Sequence, residues 1–166
     1  LMLKTHRHYP LTPFSYVVIY LGALLMLIGS HYSYANVPLC DWVREFFGFE
    51  RNNYDKIVHV AQGFLMATLM RELIIRKQSV TEKSWINFFA LCYAIAFAAV
   101  WEMVEWLYVM LIHSLDITRP EYGFLGEQGY RWDAQSDIFF GAFGAMIMLW
   151  LWGAYHTQQM RRLGLT

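Results

Sequence analysis

Ionisable side chains are scarce in this chain, and several of them recur at helical spacing inside apolar sequence. In YDKIVHVAQG, residues 54–63, Asp55, His59 and Gln62 fall at i, i+4 and i+7, one face of a helix, with Lys56 beside them. In VWEMVEW, residues 100–106, Glu102 and Glu105 lie three apart within an otherwise apolar run. In WDAQSD, residues 132–137, Asp133 and Asp137 lie four apart, just ahead of IFFGAFGAMIMLWLWGAY. Two carboxylates one turn apart repel, so a proton, Lys56, Arg131 or a metal ion must neutralise one of them. Carboxylates joined by one imidazole suit Mg²⁺, Mn²⁺ or Zn²⁺. Such an ion polarises a phosphoryl or acyl oxygen and generates hydroxide from water, with a spare carboxylate as general base.

Each residue also has a plainer reading. Asp55 and Asp133 read equally well as helix N-caps, His59 as a hydrogen-bonded interior histidine, and Lys56 as a snorkelling side chain. Glu102 and Glu105 resist that treatment, because ionisable groups within an apolar helix usually face an interior or a pathway. The division expected from the sequence places His59, Glu102, Asp133 and Asp137 as metal ligands. Asp55, Lys56 and Glu105 take the catalytic roles. Asp133 is expected to cap its helix as well, while Asp137, one turn deeper, belongs wholly to the site. His31 is a further candidate neighbour.

These groups must be held by membrane helices. The chain is 57% hydrophobic, 18% aromatic and only 16% charged, against roughly 25% charged residues in soluble domains. Four segments reach the roughly 20 helical residues that a bilayer core requires: about 14–34, 55–75, 85–112 and 137–155. The expected fold is all-α, a polytopic membrane bundle forming a single domain over residues 1–166. The opening LML at Leu1 leaves room for one more helix upstream. The connections 30–54 and 113–132 are expected to be structured, since Trp42, Phe46, Phe47, Tyr122 and Phe124 punctuate them.

Lys4, Arg7, Arg71, Arg76, Lys77, Lys83, Arg161 and Arg162 fall on one side of the four spans with only Glu72 and Glu82. By the positive-inside rule both ends are cytoplasmic and the two long connections face outward. The acids of three helices then meet near the outer face. Arg71 and Glu72 read as interfacial anchors, and Trp42, Trp85, Trp106 and Trp132 as belt residues. Gly141, Gly144 and Ala145, with Gly63 and Ala67, mark close helix approach. Cys40 and Cys92 fall too far apart to bond.

Zero formal net charge removes the case for a nucleic-acid partner. CxxC, GxSxG, HExxH, a glycine-rich phosphate loop and paired Glu-x-x-His motifs are all missing.

IGSHYSYANVP, RNNYDKIVHVAQGF, RE at 71–72, WEMVEW and FLGEQGYRWDAQSD, in this order, resemble the uncharacterised inner-membrane YjdF family over nearly the whole chain. A weaker likeness reaches the VanZ-like membrane proteins, through an Asp-Lys…His helix start, an intramembrane glutamate and an Asp-bearing helix start followed by glycine. The family pattern carries a histidine where Asn53 stands and a small hydroxyl residue where Glu127 stands. The resemblance implies fold and location but no reaction; VanZ is associated with glycopeptide resistance. Three function classes follow. The first is a metal-dependent hydrolase or transferase acting on a lipid-linked or cell-envelope substrate. The second is a proton- or ion-coupled transporter. The third is a non-catalytic subunit. Expected partners are membrane lipids, a lipid-linked substrate, and a homo-oligomer or larger membrane complex.

Overall fold

The computed structural model describes residues 9–114 and 130–165. Lys4, Arg7, Arg119, Tyr122, Phe124 and Glu127, and with them most of the second long connection, lie outside the described residues. The described residues form helices joined by turns, with no strand among them. The elements are α1 (Pro13–His31), α2 (Pro38–Phe47), α3 (Tyr54–Lys77), α4 (Lys83–Ser114), α5 (Asp133–Ile147) and α6 (Gly153–Arg162). A π-helical turn, Met148–Trp152, joins α5 to α6. Four helices are long and apolar enough to cross a membrane: α1, α3, α4, and the continuous rod from Asp133 to Arg162. The chain is a polytopic helical membrane protein.

Local chemistry sets the ends. Thr12 caps α1 by accepting a hydrogen bond from the Ser15 amide, and Pro13 follows at the first helical position, where its missing N–H costs nothing. α1 stops at His31, short of the expected 34, because Ser33 and Tyr34 both adopt left-handed backbone at φ 55°. That turn lays the Tyr34 ring against Gly29, where even a methyl group would collide with it. The connection that follows holds α2, which starts on Pro38 and ends on Gly48 at φ 70°. Asn52 fastens it, donating to the Val37 carbonyl at 3.1 Å and to Asp41 Oδ1 at 3.2 Å.

Alanines fill much of the core beside buried Met148 and Met160, and many large apolar residues lie on the periphery. Ala67, Ala90, Ala94, Ala98 and Ala145 are buried, while Val17, Leu27, Leu107 and Trp150 face outward. In lipid no hydrophobic force drives large side chains inward, so helices associate by close backbone approach instead. Gly63 of α3 packs so tightly that an added methyl would strike the Gly141 carbonyl, and one at Gly144 would strike that of Val60. This α3–α5 seam is the tightest in the bundle; α4 packs on both helices, and α1 lies against α3. Trp42, Trp85, Trp106 and Trp132 are all at least half exposed, and Cys40 and Cys92 are unbonded thiols.

The π turn changes which face of the last rod looks inward. Asp133, Asp137, Gly141, Gly144, Ala145 and Met148 are buried at three- and four-residue spacing. Beyond the turn the buried residues are Gly153, His156 and Met160, a series displaced by one position. One extra residue in the wide turn causes that shift.

Candidate functional site

The first turns of α3 and α5 and the last third of α4 meet at the end of the bundle that carries α2. Lys56 sits at the centre. Its Nζ lies 2.7 Å from Asp133 Oδ1, 2.7 Å from Asp137 Oδ1 and 3.1 Å from Asp55 Oδ2. Arg51, from the connection before α3, bonds Asp133 Oδ1 at 2.8 Å and also pairs with Asp55. Burial alone would lower the Arg51 pKa, but Asp55 and Asp133 outweigh it and hold the guanidinium above its ordinary value. The helix-cap expectation therefore fails for both acids. Asn53 and Trp132 occupy the cap positions without side-chain cap bonds, and the two carboxylates turn toward fixed cations instead. Lys56 is buried to 7% exposure among three aspartates, so it does not snorkel.

A second group lies alongside. His59 Nε2 is 3.7 Å from Glu102 Oε1 and 3.7 Å from Asp137 Oδ2. Glu105 Oε1 accepts a 2.6 Å hydrogen bond from the Trp101 indole one turn back. One donor atom each from His59, Glu102 and Glu105 lies within 4.8 Å of the others, and Asp55, Asp133 and Asp137 form a second such trio. The trios differ in what already neutralises them. The aspartates surround an ammonium, whereas His59, Glu102 and Glu105 have no fixed cation within ion-pair distance among the described residues. Glu102 Oε1 and Asp55 Oδ1 are buried without a hydrogen-bond donor there. Five carboxyl groups thus share two fixed cations, Arg51 and Lys56.

All seven residues expected from the sequence meet here. His31 does not: it is exposed and meets the Tyr32 ring edge-on.

The group opens into a cavity of about 420 Å³ between α1, α3 and α4, with Asp55, His59, Glu105, Asp133 and Asp137 at its polar end. Ile19, Leu65, Met66, Phe97 and Val104 are among its apolar walls. Tyr34 also borders it, and burial followed by the nearby Glu105 raises its pKa, so its hydroxyl stays neutral.

Arg51, Trp101 and Tyr34 were not singled out from the sequence as part of the site. Arg51 and Asp55, and Trp101 and Glu105, stand four apart, and that spacing was the available signal. A larger omission lies at the far end of α3. Arg71 and Glu72 are not interfacial anchors but are 2% and 0% exposed. Glu72 accepts from Ser15 Oγ at 2.5 Å, Thr12 Oγ1 at 3.0 Å, the Thr12 amide at 3.0 Å and Arg76 at 3.1 Å, with His156 Nε2 at 3.3 Å. Arg71 donates to Asn87 at 3.2 Å and Thr157 at 2.6 Å. Ser15, His156 and Glu72 resemble a hydrolytic triad in composition only. A single imidazole nitrogen faces both oxygens, whereas a triad histidine uses one nitrogen for each partner.

Residues 1–158 match the family described as "Predicted membrane protein (DUF2238)". The chain is 38% identical over 165 residues to the protein named "Inner membrane protein YjdF" of Escherichia coli (strain K12), an alignment covering 99% of this chain and 77% of that one. No solved structure matches the chain.

Proposed function

The chain belongs to the DUF2238 membrane-protein family, and from that premise we propose that it is an intramembrane hydrolase or transferase using a divalent cation on a lipid-linked substrate. The observation carrying this reading is the His59–Glu102–Glu105 trio. Its donor atoms converge within 4.8 Å, the buried Glu102 Oε1 lacks a donor, and a largely apolar cavity reaches His59 and Glu105. Two carboxylates and an imidazole suit Mn²⁺, Mg²⁺ or Zn²⁺. When bound, the ion would polarise a phosphoryl or acyl oxygen.

The remaining residues take roles that follow from their contacts. Asp133 and Asp137, expected as ligands, have Oδ1 on Lys56; only Asp137 Oδ2, 3.7 Å from His59, still reaches the trio. Asp137 is thus the candidate to orient His59 or to take a proton from water. Lys56 and Arg51 fix the aspartates and lend positive charge to the site's edge. Trp101 holds the Glu105 carboxylate in place. The basic residues Arg71, Arg76, Lys77, Lys83, Arg161 and Arg162 gather at the opposite end, so we place that end in the cytoplasm and the site toward the outer face.

A non-catalytic subunit is the second reading, favoured by the two ion pairs from Lys56 to Asp133 and Asp137, which lock α3 to α5. Elemental analysis and thermal unfolding of detergent-purified protein separate the two. The parent should carry a divalent ion and lose stability on chelation, by about 2.7 kcal/mol if the ion stood at a hundred times its Kd. Glu102→Gln and Asp137→Asn should lose that response while keeping folded yield within a few-fold. Absence of metal, with both variants as stable as the parent or more so, would mean that the acids are structural.

A further inference from the structure

α1 is held very unequally along its length. At its first turn Thr12 and Ser15 are clasped by Glu72, the Phe14 amide donates to Gln159 at 2.9 Å, and the Phe14 ring packs on Trp152, Tyr155 and His156. Toward its other end it rests on α3 through buried Val18 and Gly22, with the Tyr54 hydroxyl donating to the Leu25 carbonyl at 2.8 Å, and no ion pair joins the two helices there among the described residues. α1 and α4 both flank α3, yet they make little contact with each other among the described residues. The cavity fills the gap between them. Met26 of α1 and Val104 and Tyr108 of α4 line this cavity, yet stand 45%, 52% and 44% exposed. Residues that line a chamber while remaining about half exposed form the lips of a side opening.

We infer that the gap between α1 and α4 is a lateral portal, through which a membrane amphiphile with one hydrocarbon chain slides into the cavity until its head meets the His59–Glu105 end. Pinning at Glu72 makes α1 the movable wall and the glycine-sealed α3–α5 seam the fixed one. A volume of about 420 Å³ lies at the low end of ligand-sized cavities, which suits one chain better than two. The head group rests on the cation reading above: an acid-rich floor accepts a phosphate ester only through a bound cation. A prenyl phosphate and a monoacylglycerol phosphate share that chemistry.

The test is photolabelling of the full chain in detergent with Mn²⁺, using a diazirine-bearing farnesyl phosphate. A monoacylglycerol phosphate and a two-chain phosphatidic acid serve as competitors. Saturable labelling is expected on peptides containing Ala23–Met26 or Val104–Tyr108. It should be displaced by unlabelled farnesyl phosphate or by the monoacyl competitor, whichever is the natural source, and poorly by the two-chain lipid. Ala23→Trp, which plugs the chamber, should remove most of the labelling, while Leu27→Trp on the outward face leaves it unchanged. Manganese content of Ala23→Trp reports that the variant is folded, and competition in the parent stands even if it is not. Non-saturable labelling, or equal displacement by the two-chain lipid, would overturn the portal. Saturable labelling without bound Mn²⁺ would keep the portal and discard the cation-dependent reading.

Discussion

Two buried carboxylate clusters occupy opposite ends of α3, about 25 Å apart from Asp55 to Glu72 at 1.5 Å per residue, and they are built on opposite terms. At Glu72 one carboxylate meets hydroxyls, an amide, an imidazole and the guanidinium of Arg76, and it is fully enclosed. At Lys56 five carboxyl groups share two fixed cations, two of their oxygens lack donors, and a cavity opens on the group. Burial and charge are common to both, so neither marks function. Charge balance does: although His156 Nδ1 and Arg71 Nη1 lack partners at the Glu72 end, its one carboxylate is matched by Arg76 and holds helices together, whereas a cluster left short of positive charge is arranged to receive something.

The comparison breaks most visibly at Lys56. Lys56→Met strands three buried aspartates with Arg51 alone, and loss of one partner from a buried ion network costs about 3–5 kcal/mol. Thermal unfolding in detergent should show this as the largest drop of any variant here, and adding Asp137→Asn should recover part of it. Glu72→Gln comes next. Weakening charge-assisted bonds costs about 1.5–3 kcal/mol, and faster amide exchange is expected across Thr12–Tyr16 while metal content at the other end stays at the parent level. Loss of metal in Glu72→Gln would show that the two clusters are coupled and that the contrast is misdrawn. Gly22→Ala is the smallest. Gly22 is buried, but a methyl there meets Leu65 at 3.6 Å, an ordinary contact, so the unfolding free energy should rise by no more than about 1 kcal/mol, the gain from replacing a helical glycine.

The sequence displayed some of this contrast and hid the rest, for reasons that can be assigned. The spans were legible because a bilayer demands long apolar runs. The pairs Asp55–His59, Glu102–Glu105 and Asp133–Asp137 were legible because helical spacing puts each pair on one face. What spacing cannot give is the rotation of one helix against another. It therefore could not show that Lys56 would take the aspartates and leave His59 with the glutamates. Glu72 and His156 stand 84 positions apart and meet only after three helices have packed. Arg71 and Glu72 misled because a charged pair near a helix end usually reaches for the membrane surface. The left-handed turn at Ser33 and Tyr34 was hidden too, since neither residue type favours that backbone.

The wide turn at Met148–Trp152 has a mechanical meaning. It divides the last membrane rod into two coaxial shafts whose inward faces are out of phase by one residue, about 100° of rotation at 3.6 residues per turn. One shaft carries Asp133 and Asp137, and the other carries His156 and Thr157. A single-residue deletion within the turn would leave the first shaft seated against Gly63. The second would turn by that same angle, and His156 and Thr157 would swing away from Glu72 and Arg71. The rod is a keyed joint rather than a spacer, with the key cut for both ends at once.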